Sequence, residues 1–106
     1  MIVRRWSATA TTEGADEYQR HFTQVVLPAL RRIDGFRGAY VLRQFDAQHE
    51  QRAVITDLTF WESIDSIQAF SGHDVNNAVV DPTAQTYLLD FDAVVTHHTV
   101  VVDTLS

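Results

Sequence analysis

The chain has 106 residues, one domain's length, with eight basic residues that are all arginine, fourteen acidic residues, five histidines, no cysteine and a formal charge of −6. Without Cys there is no disulfide framework, thiolate metal site or Cys nucleophile, and without Lys there is no Schiff-base chemistry. The acidic balance excludes a phosphate-neutralising nucleic-acid surface.

The opening Met1-Ile2-Val3-Arg4-Arg5-Trp6 is not followed by the apolar run of a signal peptide, and no stretch approaches a membrane span. A cytoplasmic location without membrane contact is therefore expected. Ile2–Ala10 reads as a strand running into the Thr11-Thr12 pair, a helix cap with Glu13, Asp16 and Glu17 in the first turn behind it. Tyr18, Phe22, Val25 or Val26, Ala29 or Leu30 and Ile33 recur at spacings of three and four and define the apolar face of a first helix. Pro28 should kink or end that helix near Leu27, and Gly35 is its expected C-terminal cap.

Gly38–Phe45 reads as a second strand, Asp46–Gln51 as a polar hairpin loop and Arg52–Trp61 as a third strand. Ser63 should cap a second helix carrying Ile64, Ile67 and Phe70 up to Gly72. Asp74 is placed to cap a short turn over Val75–Val80, stopped by Asp81-Pro82, and Thr83–Asp92 reads either as loop or as a short helix around Tyr87–Leu89. The Val-rich run Ala93–Asp103 is the clearest strand.

The order β-α-β-β-α-β specifies a ferredoxin-like α+β fold, a single domain over residues 1–106. Its four-stranded antiparallel sheet carries both helices on one face. Strand 3 sets Val54, Leu58 and Phe60 against Ala53, Ile55 and Trp61, and the last strand is apolar on both sides, so neither has a face that wants water. Two short helices cannot cover both faces, and a second copy of the chain is expected to cover the other as a homodimer.

Asp57 stands in mid-strand among apolar neighbours, which requires a partner, with Arg43, Arg4 and Arg5 as candidates. It is either an ion pair or a buried carboxyl with a shifted pKa that serves as general base. There is no G-x-G-x-x-G, G-x-x-x-x-G-K, G-x-S-x-G or H-E-x-x-H, and metal-ligand residue types occur singly, so neither a cofactor nor a metal is expected.

Over nearly its whole length the chain resembles the antibiotic biosynthesis monooxygenase-like proteins of the dimeric α+β barrel superfamily. The resemblance is carried by Ile2–Trp6, Ala15–Tyr18, Gly35–Arg43, Phe60–Ser63, Ile67–Gly72 and Phe91–His98. It implies two ferredoxin-like subunits whose sheets face each other around a cavity. Relatives include cofactor-independent oxygenases in which a bound anthrone or quinol is deprotonated and itself passes an electron to O₂. Others degrade heme with a helix His, an Asn and a Trp. Here Phe70 stands where that Trp is expected, Val79 or Val80 where the His is expected, and strand 1 has no Asn.

The function expected is thus a cofactor-independent monooxygenase acting on a small aromatic ligand in the cavity between the sheets. The alternatives are a non-catalytic small-ligand-binding or stress-response barrel, or an isomerase or cyclase of the same superfamily. Trp61 corresponds to a cavity-lining Trp of related oxygenases or is a core aromatic under the second helix; Trp6 and Tyr40 pose the same alternative, and Tyr40 adds a phenol. His97 and His98 point to opposite faces of their strand, so one of them faces the cavity or partner as a proton acceptor, or sits at a seam. Trp61, Tyr40, His97 and His98 are the candidate catalytic residues, and His21 reads as solvated surface.

Overall fold

The computed structural model describes residues 1–46 and 49–105. Strand β1 (Ile2–Thr11) turns Arg4, Trp6, Ala8 and Ala10 to the buried side in strict alternation. Thr11 then caps α1 (Thr12–His21), its Oγ1 accepting the Gly14 N–H at 3.0 Å. Pro28 does not end the helical run. A π-helical turn over Phe22–Val26 leads into α2 (Leu27–Leu30), with the Leu27 N–H reaching back to the Phe22 carbonyl. The wider turn admits the Pro28 ring, and a proline nitrogen needs no acceptor.

Strand β2 spans Phe36–Asp46, longer at both ends than the sequence pattern indicated, and β3 spans His49–Trp61, longer at its start and ending at Trp61 as expected. Ala47 and Gln48, in the expected hairpin loop, lie outside the described residues. Helix α3 (Ile64–Ser71) starts at Ser63, whose Oγ accepts from Ser66 N–H, and stops at Gly72 with φ +82°. Asp74 Oδ1 accepts the Asn76 N–H at 3.0 Å, but the turn goes no further, and Gly72–Asp81 crosses the molecule as an irregular strap. Asp81 caps α4 (Pro82–Gln85) instead, and Tyr87–Leu89 are not helical.

The long final strand is found in pieces. Strand β4 is only Asp90–Phe91, paired with Ala8 and Thr9, and β5 is Thr96–Thr99, paired with Ile2–Arg5. Between them the chain leaves the ladder: the Asp92 carbonyl takes the Trp6 indole N–H, Val94 bridges to Asn77, and Val95 turns inward. The Val100 N–H bonds the carbonyl of Met1 at 3.1 Å, and the ladder ends there. Val101 and Val102, strand-forming by side chain, lie outside the sheet and are exposed.

The antiparallel sheet runs β2-β3-β1, with β4 and β5 sharing the second edge of β1, so it counts five strands in four positions. The helices cover the face of Trp6, Ala8, Ala53, Ile55 and Trp61. The opposite face is open, and there Tyr40 and Leu42 remain about half exposed beside the edge-on Tyr40–Phe60 pair.

Candidate functional site

The covered face is not uniformly apolar. Within its buried rows lie Arg4 on β1 and Asp57 and Thr59 on β3, in the register Arg4 opposite Thr59 and Trp6 opposite Asp57. Because side chains alternate along a strand, these four point the same way, toward the helices. Tyr18 and Phe22 come down on them from the helical run, Phe70 from α3, and Val79 and Val80 from the strap. Together they wall a cavity of about 60 Å³.

Asp57 is 8% exposed and takes a short hydrogen bond from the Tyr18 hydroxyl on Oδ2, while Oδ1 has no protein partner. Burial pushes this carboxyl up to about 7, against the smaller opposing effect of the Tyr18 hydrogen bond. Burial and the neighbouring Asp57 together push the Tyr18 phenol above its ordinary range, so Tyr18 keeps its proton and donates it. The pair thus presents a carboxyl poised between acid and base near neutral pH, one oxygen fixed and the other free.

At the other end of the cavity the Arg4 guanidinium donates to the carbonyls of Val75 at 2.5 Å and Asn77 at 2.7 Å and lies 5.8 Å from the Phe70 ring centre. It also meets His97 Nε2 at 3.2 Å. Arginine has only donors, so that nitrogen is the acceptor and the ring proton sits on Nδ1. Burial, then the Arg4 and His98 charges, hold the His97 pKa below its ordinary value, which keeps the imidazole neutral. Burial also lowers Arg4, whose partners are all uncharged.

The sequence model of the antibiotic biosynthesis monooxygenase family matches residues 1–81. The chain belongs to that family. Its fold is that of a MhuD variant crystallised with two manganese protoporphyrin IX molecules per active site, with TM-score 0.63, 20% identity, and 97% of each chain covered. A second structure, a putative antibiotic biosynthesis monooxygenase from Deinococcus radiodurans, superposes with TM-score 0.53 at 15% identity over 93% of this chain and 91% of that one. Comparison with curated proteins finds no match.

The four residues singled out in the sequence of this antibiotic biosynthesis monooxygenase-family chain are not brought together. Trp61 is fully buried; its indole donates to Thr59 Oγ1 at 2.8 Å and it packs against Phe36 and Phe70, so it backs the pocket wall without facing the cavity. His97 touches the pocket through Arg4. Tyr40 and His98 lie on the other side of the sheet, His98 beside Thr96 Oγ1 at 2.9 Å. The cavity at Arg4 and Asp57 therefore lies between sheet and helices, whereas a cavity between two sheets requires a second copy.

Tyr18 and Arg4 are the site residues that sequence reasoning passed over as helix face and ion-pair partner. The available signal was Arg4's place in the inward row with Trp6, Ala8 and Ala10, where a cation has no business unless something uses it. His21, read as surface, is largely covered and bonds Asp81 at 2.8 Å, tying the end of the strap to α1.

Proposed function

We propose that the protein is an oxygenase for a small electron-rich aromatic of the anthrone, quinol or phenol type, with Asp57 as general base. The observation that carries this is the buried Asp57 carboxyl, titrating near 7 with Oδ1 unpartnered at the wall of an aromatic pocket. The aromatic walls orient a planar ring and exclude water, which strengthens every charge interaction inside.

Asp57 takes the acidic proton of the substrate, and the resulting anion passes one electron to O₂. Superoxide and the substrate radical combine, forming the new C–O bond. The Asp57 proton goes to the peroxide; the freed carboxylate then takes the second hydrogen of that carbon as the O–O bond breaks, and this proton leaves with the departing hydroxide as water. For an anthrone the balance is CH₂ plus O₂ giving C=O plus H₂O, a four-electron oxidation of that carbon matched by the reduction of both oxygen atoms. Tyr18 holds the carboxyl, Trp61 backs the wall, and His97 positions Arg4.

A porphyrin, which the MhuD structure holds, is not part of this reading, because no described histidine lines the cavity: Phe70, Val79 and Val80 stand in its wall. Tyr40 and His98 belong in this scheme to a homodimer seam, supported by the half-exposed apolar face that carries Tyr40, Leu42 and Phe60.

The test is oxygen uptake with a model anthrone, corrected for the uncatalysed rate. Asp57→Asn should lower kcat/KM by about 10²-fold or more, the usual contribution of a positioned base. The wild-type kcat/KM should rise with pH through about 7. A variant as active as wild type would remove Asp57 from the chemistry.

A further inference from the structure

We infer that Arg4 is an anion-binding subsite, so that the pocket selects ligands carrying a carboxylate, phenolate or enolate oxygen on the ring, which replaces the strap carbonyls on the guanidinium. Arg4 is only 4% exposed, and among the described residues no carboxylate pairs with it. All its partners are neutral: two backbone carbonyls, the His97 ring nitrogen and the Phe70 face. A buried cation held only by dipoles retains most of its attraction for an anion.

Asp57 does not fill that role. It lies one pair further along the β1–β3 ladder, about 7 Å away by strand rise, and its hydrogen bond comes from Tyr18. The pocket thus has a cation at one end and a proton acceptor at the other, with aromatic walls between.

The carbonyls that occupy Arg4 belong to the strap. This segment is otherwise held by Ala78 N–H to the Ala93 carbonyl at 2.9 Å, Val95 N–H to the Asn76 carbonyl at 2.8 Å, and the His21–Asp81 pair. An engineered apolar cavity of about 150 Å³ is what a benzene ring fills. With about 60 Å³ present, a ring enters only as Val79 and Val80 move out. The same movement draws the Val75 and Asn77 carbonyls off Arg4, and the ligand's anion takes their place. The inference rests on the pocket of the proposed oxygenase and names its substrate class: an oxyanion on Arg4 with the acidic hydrogen toward Asp57.

Benzoate and benzamide, near-isosteres differing in charge, are titrated anaerobically into the full chain and followed by tryptophan fluorescence (Trp6 lines the pocket) and by calorimetry. Benzoate should bind roughly ten- to a hundredfold tighter than benzamide, the range of a charge-assisted hydrogen bond, and should weaken with added salt. Arg4→Gln should bring benzoate to within about threefold of benzamide. Equal wild-type affinity for the two, or no benzoate binding, would overturn the inference even if Arg4→Gln fails to fold. So would a folded Arg4→Gln that still prefers benzoate. Asp57→Asn separates the two proposals: an anion site at Arg4 persists in that variant whether or not oxygen uptake is lost.

Discussion

Raising the pH should destabilise this protein through one residue. The Asp57 carboxyl titrates at about 7 in the fold against 3.8 for an ordinary aspartate, because burial penalises the charged form. The folded state therefore favours the protonated group. Stability associated with it is fully present below pH 3.8 and is lost as the pH rises toward and through about 7. At about 1.4 kcal/mol per pH unit the loss across that window is about 4 kcal/mol, a large share of the roughly 5–15 kcal/mol of a typical domain. Asp57→Asn keeps the size of the side chain and an oxygen for the Tyr18 hydroxyl but cannot ionise. In urea unfolding at fixed protein concentration, from pH 4 to pH 9, the variant should gain about 4 kcal/mol on the wild type as the pH rises. His97 works in the opposite sense: its lowered pKa gives stability present above its ordinary 6.5 and lost as the pH falls. Both proteins carry His97, so it cancels in the difference. Parallel pH–stability curves for wild type and variant would refute the assignment of a raised pKa to Asp57.

Tyr18→Phe removes the hydrogen bond that opposes the burial effect on Asp57, so the midpoint of the pH–rate profile in oxygen uptake should move upward. Trp61→Ala should cost about 3–5 kcal/mol in urea unfolding, since the ring is wholly buried between Phe36 and Phe70. Gly35→Ala should cost more than about 1 kcal/mol: φ is +91° there, and a Cβ would stand 2.0 Å from Ser66 Oγ. Leu42→Glu, on the open sheet face, should convert a two-chain mass in light scattering to a one-chain mass; an unchanged mass would place the dimer contact elsewhere.

What was legible in the sequence is what local chemistry decides. Thr11 and Ser63 cap helices because their hydroxyls sit three residues before a free N–H, and Gly72 ends α3 because the next φ is positive. The alternation of β1 and β3 sorts which side chains share a face, but with apolar residues on both sides of β3 it does not tell which face the helices cover. The last strand is shorter than its Val-rich run predicts, because propensity does not set extent: β5 pairs with β1 only over Thr96–Thr99, and Val101 and Val102 lie outside the sheet. Pro28 does not end the helical run, but the regular α pattern does give way just before Leu27, to a π turn over Phe22–Val26 that makes room for the ring. At the site, Asp57 stood out as a carboxyl in an apolar row, but its partner was sought among arginines. Arg43 instead bonds Asp16 at 2.5 Å, Arg5 is exposed, and Arg4 turns to the strap. Tyr18, 39 positions away in sequence, became the partner only through the docking of α1 on the sheet.

Asp57 also ties function to stability in a way that can be argued from its neighbours. Thr56 and Leu58 flank it on the open side of β3, and Ile55 and Thr59 are its nearest fellows in the covered row, so an apolar residue would pack there without an unpartnered oxygen. The carboxyl costs the fold about 4 kcal/mol at alkaline pH. Over the same pH range it becomes the base form that deprotonates a substrate, so activity should rise as stability falls. An ion pair with Arg4 would have removed this conflict by lowering the Asp57 pKa, and it would have abolished the base as well. Keeping the two charges apart along the ladder leaves the cation for the ligand and the carboxyl near neutrality. A double variant, Asp57→Asn with Arg4→Gln, should therefore be non-additive in stability only weakly, within about 0.5 kcal/mol, because the two groups do not pair. A large coupling would mean that they do, and that the pocket has one polar centre rather than two.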